Sequence, residues 1–221
     1  MRLILIRHGQ TPSNVGHHLD TGEPGASLTD LGREQARALP AALAGANIEA
    51  IHASTLLRTQ QAAAPLAAAL GLEVNIRAGL REISAGTLEV AYDEASIEAY
   101  LSVVLGWAEG DTSTMIPGTG EDGAAVLGQF DEVVAEVVAT GIETAVLVTH
   151  GAMIRAWAGA RCRNLPNGFT ALNAVSNTGV VVLEGAPGSW HAESWQEQAP
   201  GGYGLEDASP DGAAAEVLAR D

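Results

Sequence analysis

The sequence predicts an α/β fold, a three-layer sandwich in which a mostly parallel central sheet carries helices on both faces. Three observations predict it. Short apolar runs alternate with helical patterns along the chain, as where 3–6 is followed by 29–43 and 50–53 by 55–70. Two of the runs, "LILI" at 3–6 and "TAVLVT" at 144–149, stay apolar over successive residues, which suits strands covered on both sides. Both lead into His-Gly, at His8 and His150, and in open parallel sheets sites gather outside the carboxyl ends of strands.

Each element has its own signal. The first strand closes abruptly on Arg7-His8-Gly9, a cation, an imidazole and a glycine that no apolar interior selects. The helix near 29–43 is opened by Thr29 as N-cap and followed by Gly45, and that near 55–70 is opened by Ser54 as N-cap and followed by Gly71, with the glycines read as C′ residues. A strand near 73–76 follows. Helical patterns at 93–107 and 121–139 flank a loop at 108–123 dense in Gly, Thr and Asp, and a further helix at 151–160 succeeds the strand that ends at His150. The runs 178–184 and 189–195 read as strands. The expected organisation is one domain over 1–197, with a lid insertion at about 86–120, then an acidic tail at 198–221 expected to be flexible. No internal repeat is visible.

Composition narrows the chemistry. The 221 residues are 47% hydrophobic, enough for a substantial core. All 11 basic residues are arginines, against 27 carboxylates, for a formal charge of −16. A surface this acidic disfavours nucleic acid and anionic membranes as partners. Without lysine there is no Schiff base, no lysine base and no P-loop, so arginine must bind any phosphate. Cys162 is the one cysteine and cannot form an internal disulfide. No signal peptide or membrane-length apolar run is seen, so a cytoplasmic protein is expected, and a homodimer remains open.

Two strands ending in His-Gly can bring both imidazoles to one sheet edge. "ASTLLRTQQAA" at 53–63 adds Arg58 in the first turns of a helix, where unpaired N–H groups and the dipole favour an anion and a guanidinium grips it with two N–H groups. His17, His18, His52 and His191 show no metal-ligand spacing and read as structural or exposed, and the four tryptophans read as packing. No metal or cofactor is implied.

"RHGQTPSN" (7–14) resembles the signature of the histidine phosphatase, or phosphoglycerate mutase-like, superfamily. "SLTDLGREQA" (27–36), "STLLRTQQAA" (54–63), "LREISAGTLE" (80–89) and "VLVTHGAMIR" (146–155) resemble its later motifs in order, over roughly residues 1–185. The resemblance implies His8 as a nucleophile forming a phosphohistidine, with Arg7, Arg58 and His150 around the phosphoryl group, Asn14 as a further donor, and Glu82 as general acid and base. Those roles are chemically coherent. A neutral imidazole can attack phosphorus, cations can stabilise charge spread over three oxygens, and a desolvated carboxylic acid can protonate the leaving alkoxide. The chain departs from the family pattern at Gln10, at Leu88-Glu89-Val90 in place of Trp-Glu-Gly, and at "GEDG" (120–123).

The expected function is a metal-independent phosphomonoesterase acting on a small phosphorylated metabolite. A bisphosphoglycerate-dependent phosphoglycerate mutase and a non-catalytic relative that binds phospho-ligands are the alternatives. Between Arg81 and Arg155 there is no Lys or Arg, which disfavours the mutase, because that reaction must hold a carboxylate as well as a phosphate. The lid is expected to hold the non-phosphate part of the substrate through Tyr92, Tyr100, Trp107 and Met115.

Overall fold

Leu3 and Leu5 face one layer and Ile4 and Ile6 the other, so a single strand feeds two separate cores. The computed structural model describes residues 1–196 and 199–206. In chain order these form β1 (Arg2–Arg7), α1 (Pro12–Val15), α2 (Asp30–Ala42), β2 (Ala50–Ala53), α3 (Leu57–Leu70) and β3 (Val74–Ile76). Next come α4 (Glu94–Ala108), α5 (Gly123–Ala139), β4 (Thr144–Thr149), α6 (Gly151–Arg161), α7 (Phe169–Leu172), β5 (Val180–Glu184) and β6 (His191–Trp195).

The strand order is β3-β2-β4-β1-β5-β6. The first four strands in this order are mutually parallel, while β5 runs antiparallel to both its neighbours, β1 and β6, so the sheet is mixed with a parallel majority. One core packs Leu3, Leu5, Leu147 and Val181 against α4, α5 and α6, with Phe130 and Trp157 at its centre. The other packs Ile4, Ile6, Ile51 and Val148 against Leu39 of α2 and Leu66 of α3. This is the predicted three-layer arrangement. No helix among the described residues is long and apolar enough to cross a membrane.

Helix ends follow local chemistry. The Thr29 hydroxyl accepts from Gly32 N at 3.0 Å, Asp93 caps α4 through Ser96 N, and Asp122 caps α5 through Ala125 N. Gly71, at φ +67°, ends α3. Gly45 lies beyond the Leu43 cap of α2. Of the tail expected from 198 onward, 199–206 lie against α2, where the carbonyl of Leu205 accepts from Gln35 Nε2 at 2.9 Å. Residues 207–221 lie outside the described residues.

Candidate active site

The parallel register of β1 and β4 pairs Arg7 with Thr149, so the two strands expire side by side and the next residue of each is a histidine. The rings of His8 and His150 meet edge to face, with centroids 5.2 Å apart. His8 Nδ1 is 2.7 Å from the carbonyl oxygen of Gly9. A carbonyl only accepts, so Nδ1 carries the proton and Nε2 a lone pair. That lone pair receives Nε–H of Arg58 at 3.1 Å. Burial first, then the charges of Arg58 and Arg7, hold the His8 pKa well below the ordinary 6.5, leaving the ring neutral.

Arg58 rises from the second residue of α3 and is buried. Its Nη2 donates to the main-chain carbonyl of Asp20 at 2.8 Å, and Nη1 lies 3.7 Å from Asp20 Oδ2. Gly25, at φ +70°, is stacked on the same nitrogen, since a Cβ there would fall 2.5 Å from Nη1. Arg7 is buried too, with Nη1 donating to the carbonyl of Val175 at 2.6 Å. Gly9 has a different task from the approach of a ligand. A Cβ at Gly9 would stand 2.5 Å from the Gly32 carbonyl, and one at Gly32 2.2 Å from that of Gln10, so the loop after β1 and the start of α2 pack backbone on backbone.

Ser54 is not the N-cap of α3. Leu56 occupies that position without a side-chain bond, because the Ser54 hydroxyl serves His150 Nε2 and Thr59 Oγ1, each at 2.8 Å. A neutral His150 that accepts the serine proton at Nε2 carries its own on Nδ1. That nitrogen is buried and has no hydrogen-bond partner among the described residues, which leaves a donor ready for an anion. Burial and the neighbouring cations lower the His150 pKa as they do that of His8.

Glu82 lies across the N-terminus of α6. Its Oε1 accepts from Ile83 N at 2.9 Å and Met153 N at 3.0 Å, and Oε2 accepts from Ala152 N at 3.3 Å. Burial nevertheless raises its pKa above the usual carboxylic acid value, against the pull of those bonds and of Arg58. A group of this kind can hold a proton and later accept one.

The cavity that Arg7, His8, Asn14, Arg58 and Glu82 share has a volume of about 80 Å³. Asn14 doubles as a cap, its Oδ1 accepting from Thr11 N and Thr11 Oγ1 at 2.9 Å. The expected lid is largely a packed helix. Tyr100 does reach the cavity, beside Ile97 and Leu101 of α4, and donates its hydroxyl to the Ile83 carbonyl at 2.8 Å. The other three expected lid residues are not in the cavity wall. Trp107 is fully buried with its indole N–H on the carbonyl of Thr114, while Tyr92 (69% exposed) and Met115 (54%) lie on the surface. Tyr92 precedes α4 and Met115 follows it, while Trp107 shares the face of Tyr100 but stands about two turns further along the helix, where it packs into the core.

Four contributors escape the sequence reading. Arg155 of α6 joins the cavity wall, fixed by bonds to the carbonyls of Thr170 and Ala171 at 2.6 and 3.1 Å. His18 also lines the wall and meets the ring of Tyr92 at a tilt of 55°, with centroids 5.3 Å apart. Asp20 brings a carboxylate, and Glu89 pins the same loop by accepting from Thr21 N at 2.7 Å and Gly22 N at 3.1 Å. Only a helical count back from "HGAMIR" could have flagged Arg155; the rest sit on loops without a local pattern. Among the described residues no group of three or more His, Cys, Asp or Glu side chains is arranged to hold a metal ion.

Comparison with known proteins follows from this geometry. The model of the histidine phosphatase superfamily, branch 1, matches residues 3–198. A glucosyl-3-phosphoglycerate phosphatase of Mycobacterium tuberculosis is 32% identical over 216 residues, which cover 90% of this chain and 95% of the relative. A PE-PGRS family protein of the same organism is 34% identical over 211 residues; the match takes in 86% of this chain, and the chain spans only about a third (35%) of that protein. The solved structure of mycobacterial glucosyl-3-phosphoglycerate phosphatase complexed with VO3 aligns with a TM-score of 0.74 at 31% identity, over 88% of this chain and 98% of the other.

Proposed function

The chain belongs to the histidine phosphatase superfamily, and from that premise we propose that it is a metal-independent phosphomonoesterase of small phosphorylated metabolites, working through a phosphohistidine on His8. The observation that carries the reading is the His8 ring itself, with Nδ1–H given to the Gly9 carbonyl at 2.7 Å and the Nε2 lone pair presented to the Arg58 side chain. A phosphoryl group that displaces Arg58 from Nε2 meets a neutral nucleophile already in its reactive tautomer.

In the first half-reaction Nε2 attacks phosphorus, the P–N bond forms and the ester P–O bond breaks. The departing oxygen takes the Glu82 proton. In the second, the Glu82 carboxylate removes a proton from water, the hydroxide attacks phosphorus, and the P–N bond breaks to free His8 and inorganic phosphate. Arg7, Arg58 and the Nδ1–H of His150 stabilise the charge on the equatorial oxygens in both steps, with Asn14 as a further donor. The relatives named as glucosyl-3-phosphoglycerate phosphatases agree with water as acceptor.

Rapid quenching into alkali during turnover of p-nitrophenyl phosphate, followed by mass spectrometry, tests the reading. An acid-labile phosphate on His8, and its loss with activity in His8→Ala, is the expected result. Full turnover by His8→Ala overturns the mechanism.

A further inference from the structure

A carboxylate in the wall of an anion-binding pocket is electrostatically out of place, and Asp20 is one. Its carboxylate pairs with Arg58 by charge but does not hydrogen-bond to it. The main-chain carbonyl of Asp20 accepts from Nη2 at 2.8 Å, whereas the carboxylate stands 3.7 Å from Nη1, beyond hydrogen-bond range. Both hydrogen bonds to the carboxylate fall on Oδ2, from Ser13 Oγ at 2.8 Å and Ala26 N at 3.2 Å. Oδ1 accepts none among the described residues, and the side chain retains 18% exposure within the cavity wall. The loop that carries it is braced on either side. Leu19 N donates to the Ala91 carbonyl and Val90 N to that of Leu19, while Glu89 holds Thr21 and Gly22.

We propose that Asp20 is a specificity-determining residue whose Oδ1 accepts a hydrogen bond from a hydroxyl on the substrate's leaving group, which assigns the site to polyol or sugar phosphates. The inference rests on the phosphomonoesterase reading and deepens it. One guanidinium, that of Arg58, separates the carboxylate from His8 Nε2, so the partner of Oδ1 is a group on a carbon beyond the ester oxygen rather than the phosphoryl group itself. Charge selects its kind. The carboxyl groups of Asp20 and Glu82 share the wall with the guanidiniums of Arg7, Arg58 and Arg155, so beside a bound phosphate a neutral donor adds no charge, while a second anion would face the Asp20 carboxylate unpaired. A pocket that desolvates a carboxylate also penalises a substrate unable to pair with it.

A matched pair of substrates isolates this term: glycerol 1-phosphate, and n-propyl phosphate, which lacks both hydroxyls. Wild type should favour glycerol 1-phosphate by about 30-fold in kcat/KM, the scale of a hydrogen bond to a charged acceptor. Asp20→Ala should bring the ratio near unity, and Asp20→Asn, whose Oδ1 is a neutral acceptor, should give an intermediate ratio. The ratio is read rather than either rate, because Arg58 touches Asp20 and both rates will move. A wild-type ratio near one overturns the inference, as does a ratio that Asp20→Ala leaves intact, while hydrolysis of both esters keeps the phosphatase reading. Hydrolysis of neither ester nor of p-nitrophenyl phosphate overturns both.

Discussion

Arg58 bears the most weight in the proposed chemistry, and its replacement gives the sharpest test. Alanine removes in one step the Nε–H at 3.1 Å from His8 Nε2 and the Nη2–H at 2.8 Å from the Asp20 carbonyl, and leaves the Asp20 carboxylate without its neighbouring cation. Losing one preorganised donor to a developing charge costs about 10²–10³ in rate, and an arginine serving a phosphoryl group up to about 10⁵. Arg7 and His150 remain, which puts the expected fall in kcat/KM at about 10³-fold, or about 4 kcal/mol of barrier. Lysine should recover no more than about tenfold, because an ammonium is a point charge and cannot reach the imidazole and the carbonyl through one rigid plane. The assay is steady-state hydrolysis of p-nitrophenyl phosphate at fixed ionic strength, paired with an NMR titration of His8. After burial, Arg58 is the strongest influence lowering the His8 pKa, so that pKa should rise in Arg58→Ala. Wild-type kcat/KM in Arg58→Lys, or an unmoved His8 titration, refutes the reasoning.

Activity on an alkyl phosphate should follow a bell-shaped pH profile at mildly acidic to neutral pH. At their ordinary values of 6.5 and 4.5 a neutral imidazole and a protonated carboxyl scarcely coexist, and the lowered His8 and raised Glu82 open that window. Glu82→Gln should abolish the alkaline limb and slow alkyl esters by about 10²–10⁴-fold, while p-nitrophenyl phosphate, whose leaving group departs without a proton, suffers less; an unchanged alkaline limb removes Glu82 from the role. Thermal stability should fall as pH drops below the unfolded histidine value of 6.5, because burial keeps His8, His52 and His150 neutral in the fold while the unfolded chain gains protons. Calorimetry showing a flat melting temperature from pH 7 to 5 would contradict this. EDTA should leave turnover unchanged, and loss of activity reversed by a divalent ion would reveal a metal site. Val90 holds a left-handed φ of +59° with 67% of its surface exposed. Val90→Gly should therefore stabilise the chain by up to about 1.5 kcal/mol, the strain of about 1–2 kcal/mol less glycine's entropy of about 0.5–1, and urea denaturation that shows a loss instead would place that side chain among needed contacts.

The strands and helices were legible because their signals are local: apolar runs, Thr29 as a cap, Gly71 as a stop. So was the meeting of His8 and His150, since two runs ending in His-Gly at one sheet edge leave the imidazoles little else to do. Ser54 was misread for an instructive reason. A serine before a helix competes between capping it and serving a distant acceptor, and only the fold brings His150 within 2.8 Å. The lid residues failed differently, because position along the chain was taken for position around the site. Tyr92 and Met115 fall before and after α4, and Trp107 lies about two turns along the helix from Tyr100, whereas Ile97, Tyr100 and Leu101 line the cavity. Asp20 and Glu89 belong to loops joined only by tertiary contact, which no periodicity announces.

The pairing of β1 with β4 also has a kinetic meaning. These strands are far apart in the sequence, Arg2 pairing with Thr144, and their register brings the two imidazoles to 5.2 Å. Such a contact closes a very long loop, and the entropy of closing it must be met before the contact returns any stability. During synthesis the first strand leaves the ribosome long before its partner exists, and its edge stays unpaired until β4 emerges. Catalytic competence is therefore among the last properties the chain acquires. Recovery of activity during refolding should lag behind the return of helical signal, which α2 and α3 can supply from neighbouring sequence, and it provides a direct clock for closure of the central sheet.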